Sequence, residues 1–346
     1  MIVDCIRKVV EGKVLNEYEV KGAIEEIVDG RATPSQTAGL LAALRARGET
    51  ADEVAALAKV LGEMAIRIRP LVKSRIIDTC GTGGDHSMTF NISTVSAFVA
   101  AGAGAVIAKH GNRSFTSKCG SADLLEALGY DLQADPELVK NAIEKIGIGF
   151  IFAPAFHPVL KNVATVRKEL GIRTIFNIMG PLLNPAGANA QLLGVYDDSL
   201  VDLMASALVK LGIEEAMVVY GTDGVDEISV SANTIIAHVS SRGVEKRLYS
   251  PSDFGVGKHN PSELIVNTKD EAIKSAVSVL KGEERGAKRD AVLVNSAAAI
   301  VLSQNASNFK EAVEIARESI DSGRAIRKLK ELVNLVGREE VFVDGY

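Results

Sequence analysis

The chain has 346 residues, of which 47% are hydrophobic and 24% charged, and its formal net charge is −5. This length and balance are typical of a globular protein with about two domains, and the acidic charge argues against a nucleic-acid partner, which needs a basic surface. Its three cysteines, Cys5, Cys80 and Cys119, form no CxxC pair and are odd in number, so we expect a reduced, cytoplasmic protein.

The first 70 residues contain helical patterns and no strand pattern. The opening stretch, MIVDCIRKVVEGK, is charged too early for a secretory signal peptide. Thr33 and Thr50 each stand where a helix N-cap is expected, and Glu53 completes a capping box with Thr50. Four short helices bury little surface alone. We therefore expect this segment to pack against another part of the chain or against a copy of itself.

From residue 74 onward, short apolar runs alternate with helical patterns. The runs RIIDTC, AVIAK, GFIFAP and AMVVYG predict strands, and helical patterns such as SADLLEALG and LVDLMASALVKLG separate several of them. This alternation predicts an α/β domain whose central sheet is mostly parallel and covered by helices. The tail from Thr268 returns to long helical patterns.

The stretch from Phe90 to Ala108 holds no charged residue and is long enough to span a membrane. It is nevertheless rich in alanine and contains polar side chains, Ser93 and Thr94 among them. A helix buried against the sheet, followed by the strand AVIAK, explains this composition better. We expect no contact with a membrane.

Unusual loops follow three of the predicted strands. Their sequences are GTGGDHSMTFNIST, KHGNRSFTSKCGSAD and GTDGVDEIS. In open parallel sheets, ligands bind beyond the carboxyl ends of the strands. The first loop exposes backbone N–H groups, the second supplies cations and amides, and the third supplies two adjacent acids. Together they predict a site for a phosphate-rich ligand with a divalent metal.

The first loop leaves its backbone uncovered at Gly81, Gly83 and Gly84, so its amides can approach anionic oxygens. His86 stands where a dinucleotide fingerprint needs glycine, and no GK[ST] completes a P-loop. Asp85 would repel a phosphate and suits the hydroxyls of a sugar. A tight turn without a ligand is the alternative for this glycine cluster.

The second and third loops carry the charged candidates. Lys109 offers a point charge for phosphate, and Asn112 can both donate and accept hydrogen bonds. Asp226 and Glu227 are oxygen ligands of the kind Mg²⁺ prefers, but both reach one site only if the backbone is irregular, which Gly224 permits. A solvated basic loop and ordinary surface acids are the alternatives.

The segment HPVLKNVATVRKELG predicts a helix with a narrow apolar stripe that includes Val163 and Val166. At 100° per residue, Arg167 lies roughly 70° from the centre of the stripe, at the edge of the buried face. An arginine there either snorkels to solvent or reaches into a cleft to pair with a carboxylate. The five histidines show no metal-ligand spacing, and no nucleophile elbow is present.

Six segments in this order resemble the anthranilate phosphoribosyltransferase family of tryptophan biosynthesis, over nearly the whole chain. They are GTGGD, NIST, KHGNRS, GSADLLEALG, HPVLKNVATVRKELGIRTIFNIMGPLLNP and DGVDEIS. The resemblance implies that the 5-phosphoribosyl group of phosphoribosyl pyrophosphate (PRPP) passes to the amine of anthranilate, giving N-(5-phosphoribosyl)anthranilate and pyrophosphate. It also implies Mg²⁺ as cofactor and a homodimer formed through the N-terminal helical domain.

The implied fold is a small all-helical N-terminal domain, residues 1–70 with a helical return near 158–185, plus a larger α/β domain, residues 74–346. Two positions differ from the form typical of the family. His86 takes a place often held by glycine, and Cys119 takes one often held by serine.

The resemblance also implies the site residues. The candidate contacts of PRPP are Gly81, Gly84, Asp85, Thr89, Asn91, Ile92, Ser93, Thr94, Lys109, His110, Gly111, Asn112, Arg113, Ser114, Phe115, Thr116, Ser117 and Ser121. The candidate Mg²⁺ ligands are Ser93, Asp226 and Glu227. The candidate anthranilate contacts are Gly81, Asn112 and Arg167, with His110 and His157 lining the route of entry. No residue is expected to act as a general base, because an aromatic amine is unprotonated at neutral pH.

Two rival functions are compatible with the same fold. Pyrimidine nucleoside phosphorylases use free phosphate and need no metal cluster, so the Asp226–Glu227 pair argues against them. A non-enzymatic relative that binds nucleic acid would need a basic surface, which the net charge does not favour.

Overall fold

A seven-stranded sheet forms the centre of the computed structural model, which describes residues 1–85, 87–114 and 118–337. The strands are β1 (Ile76–Gly81), β2 (Val106–Gly111), β3 (Ile148–Phe152), β4 (Ala190–Gly194), β5 (Glu215–Gly221), β6 (Thr234–Ser240) and β7 (Gly243–Tyr249). Their order is β3-β2-β1-β4-β5-β6-β7. The first five run parallel, and β6 and β7 continue the sheet antiparallel. The carboxyl ends of β1, β2, β4 and β5 therefore meet at one edge.

Helices lie before, between and after these strands. The helices are α1 (Ile2–Val10), α2 (Glu17–Val28), α3 (Pro34–Arg47), α4 (Ala51–Glu63), α5 (Ile92–Gly102), α6 (Ser121–Ala127), α7 (Pro136–Ile146), α8 (Ala153–Phe156), α9 (Lys161–Leu170), α10 (Phe176–Met179), α11 (Ser199–Leu211), α12 (Lys269–Lys281), α13 (Ala287–Leu302), α14 (Phe309–Asp321) and α15 (Arg324–Val336). Together with the sheet they confirm the predicted fold class, an N-terminal helical part and a larger α/β part.

The predicted caps of α3 and α4 are present. The Thr33 hydroxyl accepts a hydrogen bond from the N–H of Gln36 at 3.2 Å, and the Thr50 hydroxyl accepts one from the N–H of Glu53 at 3.3 Å. Each bond satisfies one of the N–H groups that a helix start leaves without a partner. These local signals explain why the two helices begin where they do.

Alternate residues of the strands pack on opposite faces of the sheet. Leu192 lies in a buried cluster with α5, α13 and α14, whereas Leu193 lies in a second cluster with α4 and α11. The N-terminal helices thus pack on α11, which covers one face of the sheet. Helix α9 contacts α2 and α3, so the segment after β3 returns to the N-terminal helices.

The uncharged stretch from Phe90 to Ala108 forms α5 and the first half of β2. Val95, Ala97 and Val99 of α5 are completely buried between the sheet and the C-terminal helices. Within the described ranges, no helix has the length and apolarity needed to cross a membrane. Burial in the protein core accounts for this composition, as predicted.

Three strands were not predicted. Strand β4 has only five residues and carries Gln191 within its apolar run, and β6 and β7 form an antiparallel hairpin at the sheet edge. Residues Gly243–Leu248 of β7 are exposed, so β7 lacks the apolar pattern of a buried strand. Periodicity in the sequence is weak wherever a strand is short or solvated.

Candidate active site

Glycines end four neighbouring strands at the same sheet edge. Gly81, Gly111, Gly194 and Gly221 are the last residues of β1, β2, β4 and β5, and Gly81 pairs in register with Gly194. The three loops singled out in the sequence follow β1, β2 and β5, so the fold brings their starting points together. This edge is the candidate active site.

Asp226 of the third loop fits into a notch between two of these glycines. Its Oδ2 atom accepts a hydrogen bond of 2.8 Å from the N–H of Gly83. A Cβ placed on Gly81 would lie 2.2 Å from that same oxygen, and a Cβ on Gly194 would lie 1.6 Å from the Asp226 carbonyl oxygen. The absence of side chains at both positions is therefore what lets Asp226 approach β1 and β4.

Glu227 points to the start of α5. Its Oε1 atom accepts a hydrogen bond of 3.1 Å from the N–H of Ser93, in the first turn of that helix. A carboxylate at this position interacts favourably with the positive end of the helix dipole. The structure thus places Ser93, Asp226 and Glu227, which were named as candidate metal ligands, around the same strand ends.

Lys109 is a buried cation beneath this edge, with a side chain only 3% exposed. Its ammonium donates hydrogen bonds to the carbonyl oxygen of Thr79 and, at 3.3 Å, to the Ser93 hydroxyl. Desolvation lowers the pKa of Lys109, although the nearby charges of Asp78 and Glu227 oppose that shift. The Lys109 amino group is therefore directed toward Thr79 and Ser93 in the site rather than into solvent.

The acid pair, Asp226 and Glu227, lies in an environment that disfavours negative charge. Desolvation, with a contribution from the Asp85 charge, raises the pKa of Asp226 to about 7. Desolvation and the Asp226 charge raise the pKa of Glu227 well above its ordinary value. Both shifts are those expected of carboxylates placed for a cation.

The donor set suits Mg²⁺. The candidate ligand atoms are the oxygens of two carboxylates and one hydroxyl. In the ranges 1–85, 87–114 and 118–337 there is no group of three or more His, Cys, Asp or Glu side chains that could hold a metal ion by themselves. Mg²⁺ commonly takes one or two carboxylates and completes its octahedron with water and substrate phosphates. A site with few protein ligands, next to the proposed phosphate position, agrees with this coordination preference.

The first loop is fixed by hydrogen bonds within itself and to residues outside it. The Asp85 carboxylate accepts a hydrogen bond from the Ser87 hydroxyl, and the carbonyl oxygen of Gly84 accepts one from Arg173. Thr89 pairs with Ile265 in an isolated bridge. His86 lies outside the described residues.

The second loop folds back onto α6. The Ser121 hydroxyl donates to the carbonyl oxygen of Asn112 at 3.1 Å, and the N–H of Ser114 donates to Asp123 at 3.1 Å. Arg113 forms ion pairs with Asp123 at 2.8 Å and with Glu126 at 2.7 Å. Its guanidinium is thus directed to α6 rather than to the acid pair. Phe115, Thr116 and Ser117, also predicted to contact the donor, lie outside the described residues.

Three predicted residues form the start of α5. The amide of Asn91 donates to the carbonyl oxygen of Cys119 at 2.9 Å, and its Oδ1 atom is buried without a partner in the described part of the chain. Ile92 and Thr94 are buried. The side chains of Ile92 and Thr94 therefore belong to the core, whereas the hydroxyl of Ser93 between them faces the site, where it accepts from Lys109.

His110 and His157 form a buried pair whose ring centroids are 5.2 Å apart. Nδ1 of His110 donates to the carbonyl oxygen of Gly180 at 3.1 Å, and Nε2 of His157 donates to that of Leu183 at 2.9 Å. A neutral imidazole that donates through one nitrogen must accept through the other. Those other nitrogens are buried without a partner among the residues described. Desolvation, with the neighbouring ring, lowers the pKa of His110 to about 3.

Arg167 lies half-buried on α9, with its guanidinium carbon 5.5 Å from the ring centre of Phe176. Burial lowers its pKa. No carboxylate partner of Arg167 is found in the described ranges, in contrast to Arg113. A partly desolvated guanidinium without a counter-ion is suited to bind a carboxylate from a ligand.

Several residues of the site gave no signal in the sequence analysis. Asp78 of β1 is completely buried and accepts the N–H of His110 at 3.1 Å; desolvation raises its pKa to about 6. The guanidinium of Arg173, which contacts Gly84, also stacks 3.8 Å from the ring centre of Tyr196. Gly194 could have been noticed, because like Gly81 it ends an apolar run.

Comparison with known proteins identifies one family over nearly the whole chain. Residues 3–65 match the helical bundle domain of a glycosyl transferase family, and residues 73–326 match the α/β domain of that family. The anthranilate phosphoribosyltransferase of Acetivibrio thermocellus is 48% identical over 333 residues, which cover 96% of each chain.

Two solved structures share the fold. The anthranilate phosphoribosyltransferase of Thermus thermophilus has a TM-score of 0.91 and 41% identity, and the alignment covers 96% of this chain and 99% of that one. The Saccharomyces cerevisiae anthranilate phosphoribosyltransferase, solved in complex with PRPP and Mg, has a TM-score of 0.89 and 31% identity over 97% of each chain.

Proposed function

Because this chain belongs to the anthranilate phosphoribosyltransferase family, within the glycosyl transferases, we propose that it joins anthranilate to PRPP in tryptophan biosynthesis. The products are N-(5-phosphoribosyl)anthranilate and pyrophosphate. The observation that carries the proposal is the meeting of the glycine-rich first loop, the Lys109 ammonium and the Asp226–Glu227 pair at one sheet edge.

The first and second loops are proposed to hold the donor. The glycine-rich backbone of residues 81–84 and the N-terminal turn of α5 direct the positive ends of their peptide dipoles toward the proposed phosphate position. In the free protein the N–H groups of Gly83 and Ser93 donate to Asp226 and Glu227. Lys109 supplies positive charge below them, and Asp85 is suited to the ribose hydroxyls. Such preformed dipoles stabilise negative charge on the leaving pyrophosphate without reorganising during the reaction.

Mg²⁺ is proposed to bind at Ser93, Asp226 and Glu227. When bound, the ion would neutralise charge on the pyrophosphate and so make it a better leaving group. The two carboxylates would gain a counter-ion for charges that are costly in the free protein. The complex of the yeast relative with PRPP and Mg supports the use of Mg²⁺ with this donor.

Arg167 is proposed to bind the anthranilate carboxylate, with Asn112 and the backbone of Gly81 on the same substrate. His110 and His157 stay neutral because burial lowers both pKa values. They can therefore accept hydrogen bonds but cannot pair with a carboxylate, so Arg167 determines the orientation of the substrate. Correct orientation of the amine toward C1 of the ribose contributes to the rate, and no general base is required.

We also propose a homodimer formed through the N-terminal helices. Val3, Val10, Val14 and Tyr18 expose between 46% and 73% of their surface around α1 and α2. Light scattering after size exclusion should give twice the 36.6 kDa of one chain, and Val10→Asp together with Tyr18→Asp should reduce the mass to that of one chain. A monomeric wild type would contradict the dimer.

Two further proposals concern the domains and the cellular location. Residues 1–70, together with the helical return near 158–185, form the N-terminal helical domain, and residues 74–346 form the α/β domain. The three free thiols, Cys5, Cys80 and Cys119, support a reducing, cytoplasmic location.

Anthranilate fluorescence tests the proposed reaction directly. The signal should fall when the protein, PRPP and Mg²⁺ are all present and stay constant when any one is omitted. Thymidine with phosphate is the matched control for a phosphorylase and should not react. Phosphorolysis of thymidine without consumption of anthranilate would contradict the proposal.

A further inference from the structure

Asn295 is a completely buried amide in the middle of α13. Its Oδ1 atom accepts a hydrogen bond of 2.9 Å from the N–H of Ile228, and its Nδ2 atom donates one of 3.0 Å to the carbonyl oxygen of Ile228. The second N–H of the amide donates to the carbonyl oxygen of Ala291 at 2.9 Å. Both N–H donors of this side chain are used, and two of its three hydrogen bonds hold the N–H and the carbonyl group of Ile228.

Ile228 directly follows the acid pair in a segment outside the strands of the sheet. The Asn295 side chain supplies partners for both of its backbone polar groups. On the other side of the pair, the Asp226 backbone lies against Gly194. The conformation of Asp226 and Glu227 is thus constrained by β4 before the pair and by α13 after it.

Helix α13 is also bonded to α5, whose first turn receives Glu227. The hydroxyl of Ser96 in α5 donates to the carbonyl oxygen of Val292, and the hydroxyl of Ser296 donates to the carbonyl oxygen of Ser96, both at 3.3 Å. Since α13 contacts both α5 and the third loop, residues 221–229, which is the acid loop, it fixes the position of Glu227 relative to Ser93.

We propose that Asn295 is a positioning residue for the acid pair and thereby sets the affinity of the site for a divalent cation bound with pyrophosphate. It acts through the backbone of Ile228 and touches neither substrate. The proposal rests on the function proposed above. Residues that do not touch the metal but orient its ligands typically contribute about 10- to 100-fold to metal affinity.

The test compares Asn295→Ala with Tyr130→Phe. Asn295→Ala removes three buried hydrogen bonds, two of which hold the acid loop. Tyr130→Phe removes one buried hydrogen bond, to the carbonyl oxygen of Phe150 in β3, and this bond involves neither α13, α5 nor the acid loop. Binding of Mn²⁺ in the presence of pyrophosphate is measured by electron paramagnetic resonance of the free ion, and amide exchange is followed at residues 225–230 without metal. If Asn295→Ala does not fold, Asn295→Ser, which is too short to span both bonds, replaces it.

Asn295→Ala is expected to weaken Mn²⁺ binding about tenfold or more and to speed exchange at residues 225–230. Tyr130→Phe should lower Tm but change Mn²⁺ binding less than about twofold. Wild-type Mn²⁺ affinity and exchange in a folded Asn295 variant, or equal weakening in both variants, would overturn the proposal. A wild type that binds no Mn²⁺ with pyrophosphate and consumes no anthranilate would instead overturn the proposed function, and with it the metal role of Asn295.

Discussion

Gly194 leaves the space that Asp226 occupies: a Cβ at residue 194 would lie 1.6 Å from the Asp226 carbonyl oxygen. Because the obstructing atom is backbone, Gly194→Ala must displace the acid loop. We expect a loss of roughly 1–3 kcal/mol in the free energy of unfolding and a larger loss of Mg²⁺-dependent turnover. Gly62→Ala is the matched control, since a Cβ there meets no atom within 4 Å. Unchanged turnover in Gly194→Ala would show that the notch is not needed.

Replacing both acids should separate stability from activity. Asp226→Asn with Glu227→Gln should reduce Mg²⁺-dependent turnover to about 1% or less of wild type. The same variant should be more stable without metal, by roughly 1–3 kcal/mol, because desolvation destabilises the ionised carboxylates and solvent screens only part of that cost.

The pH dependence of this gain follows from the raised pKa of Asp226, about 7 against an ordinary 3.8. Folding favours the protonated form, so the destabilisation is complete above pH 7 and disappears as the pH falls toward 4. Urea unfolding with a chelator should show the larger gain at pH 8 than at pH 5. Asp270→Asn with Glu314→Gln removes two exposed acids as a control. Full turnover in the active-site double variant would refute the metal assignment.

Arg167→Ala should raise the KM for anthranilate far more than that for PRPP. A charge-assisted hydrogen bond to a carboxylate contributes about 1.5–3 kcal/mol, which corresponds to roughly a 10- to 100-fold change. Lys168→Ala, an exposed cation in the next position of α9, is the control and should leave both constants near wild type. Equal increases in the two KM values would indicate that Arg167 does not select the acceptor.

The buried histidine pair should make the protein sensitive to acid. The pKa of His110 falls from 6.5 to about 3 on folding, so the unfolded chain binds the proton more tightly. This contribution to stability is complete above pH 6.5 and is lost as the pH falls toward 3, by about 1.4 kcal/mol per pH unit. Between pH 7 and pH 5 wild type should lose roughly 2 kcal/mol more than His110→Gln, measured by urea unfolding. Parallel pH profiles for the two proteins would contradict this.

The parallel strands could be predicted where an apolar run ends in glycine. Strands β1, β2, β3 and β5 carry this signal or a near equivalent, and the caps at Thr33 and Thr50 are local in sequence. Strand β4 also ends in a glycine but was missed, because the polar Gln191 stands in its short run and its pairing with β1, distant in the sequence, leaves no local signal. Such long-range pairing, not local propensity, makes it a strand.

Asp226, Glu227 and Lys109 were visible in the sequence because each lies near the glycine that ends a strand, whereas Arg167 was visible from the apolar stripe of its helix. Their supports were not visible. Asn295 belongs to an ordinary helical pattern, and only the packing of α13 against the acid loop gives its amide a distinct role. The ion pairs of Arg113 with Asp123 and Glu126 were not visible either, because both acids lie on α6 in an ordinary helical pattern; its contact with PRPP, implied by the family resemblance, stays a prediction.

A crystal structure with PRPP and Mn²⁺ is the most direct test of the central claim that the three loops hold one diphosphorylated sugar with its metal. The account predicts an anomalous Mn²⁺ peak beside Asp226 and Glu227, with the pyrophosphate against the amides of the first loop. PRPP bound away from this sheet edge, or a Mn²⁺ peak that contacts neither carboxylate, would contradict it.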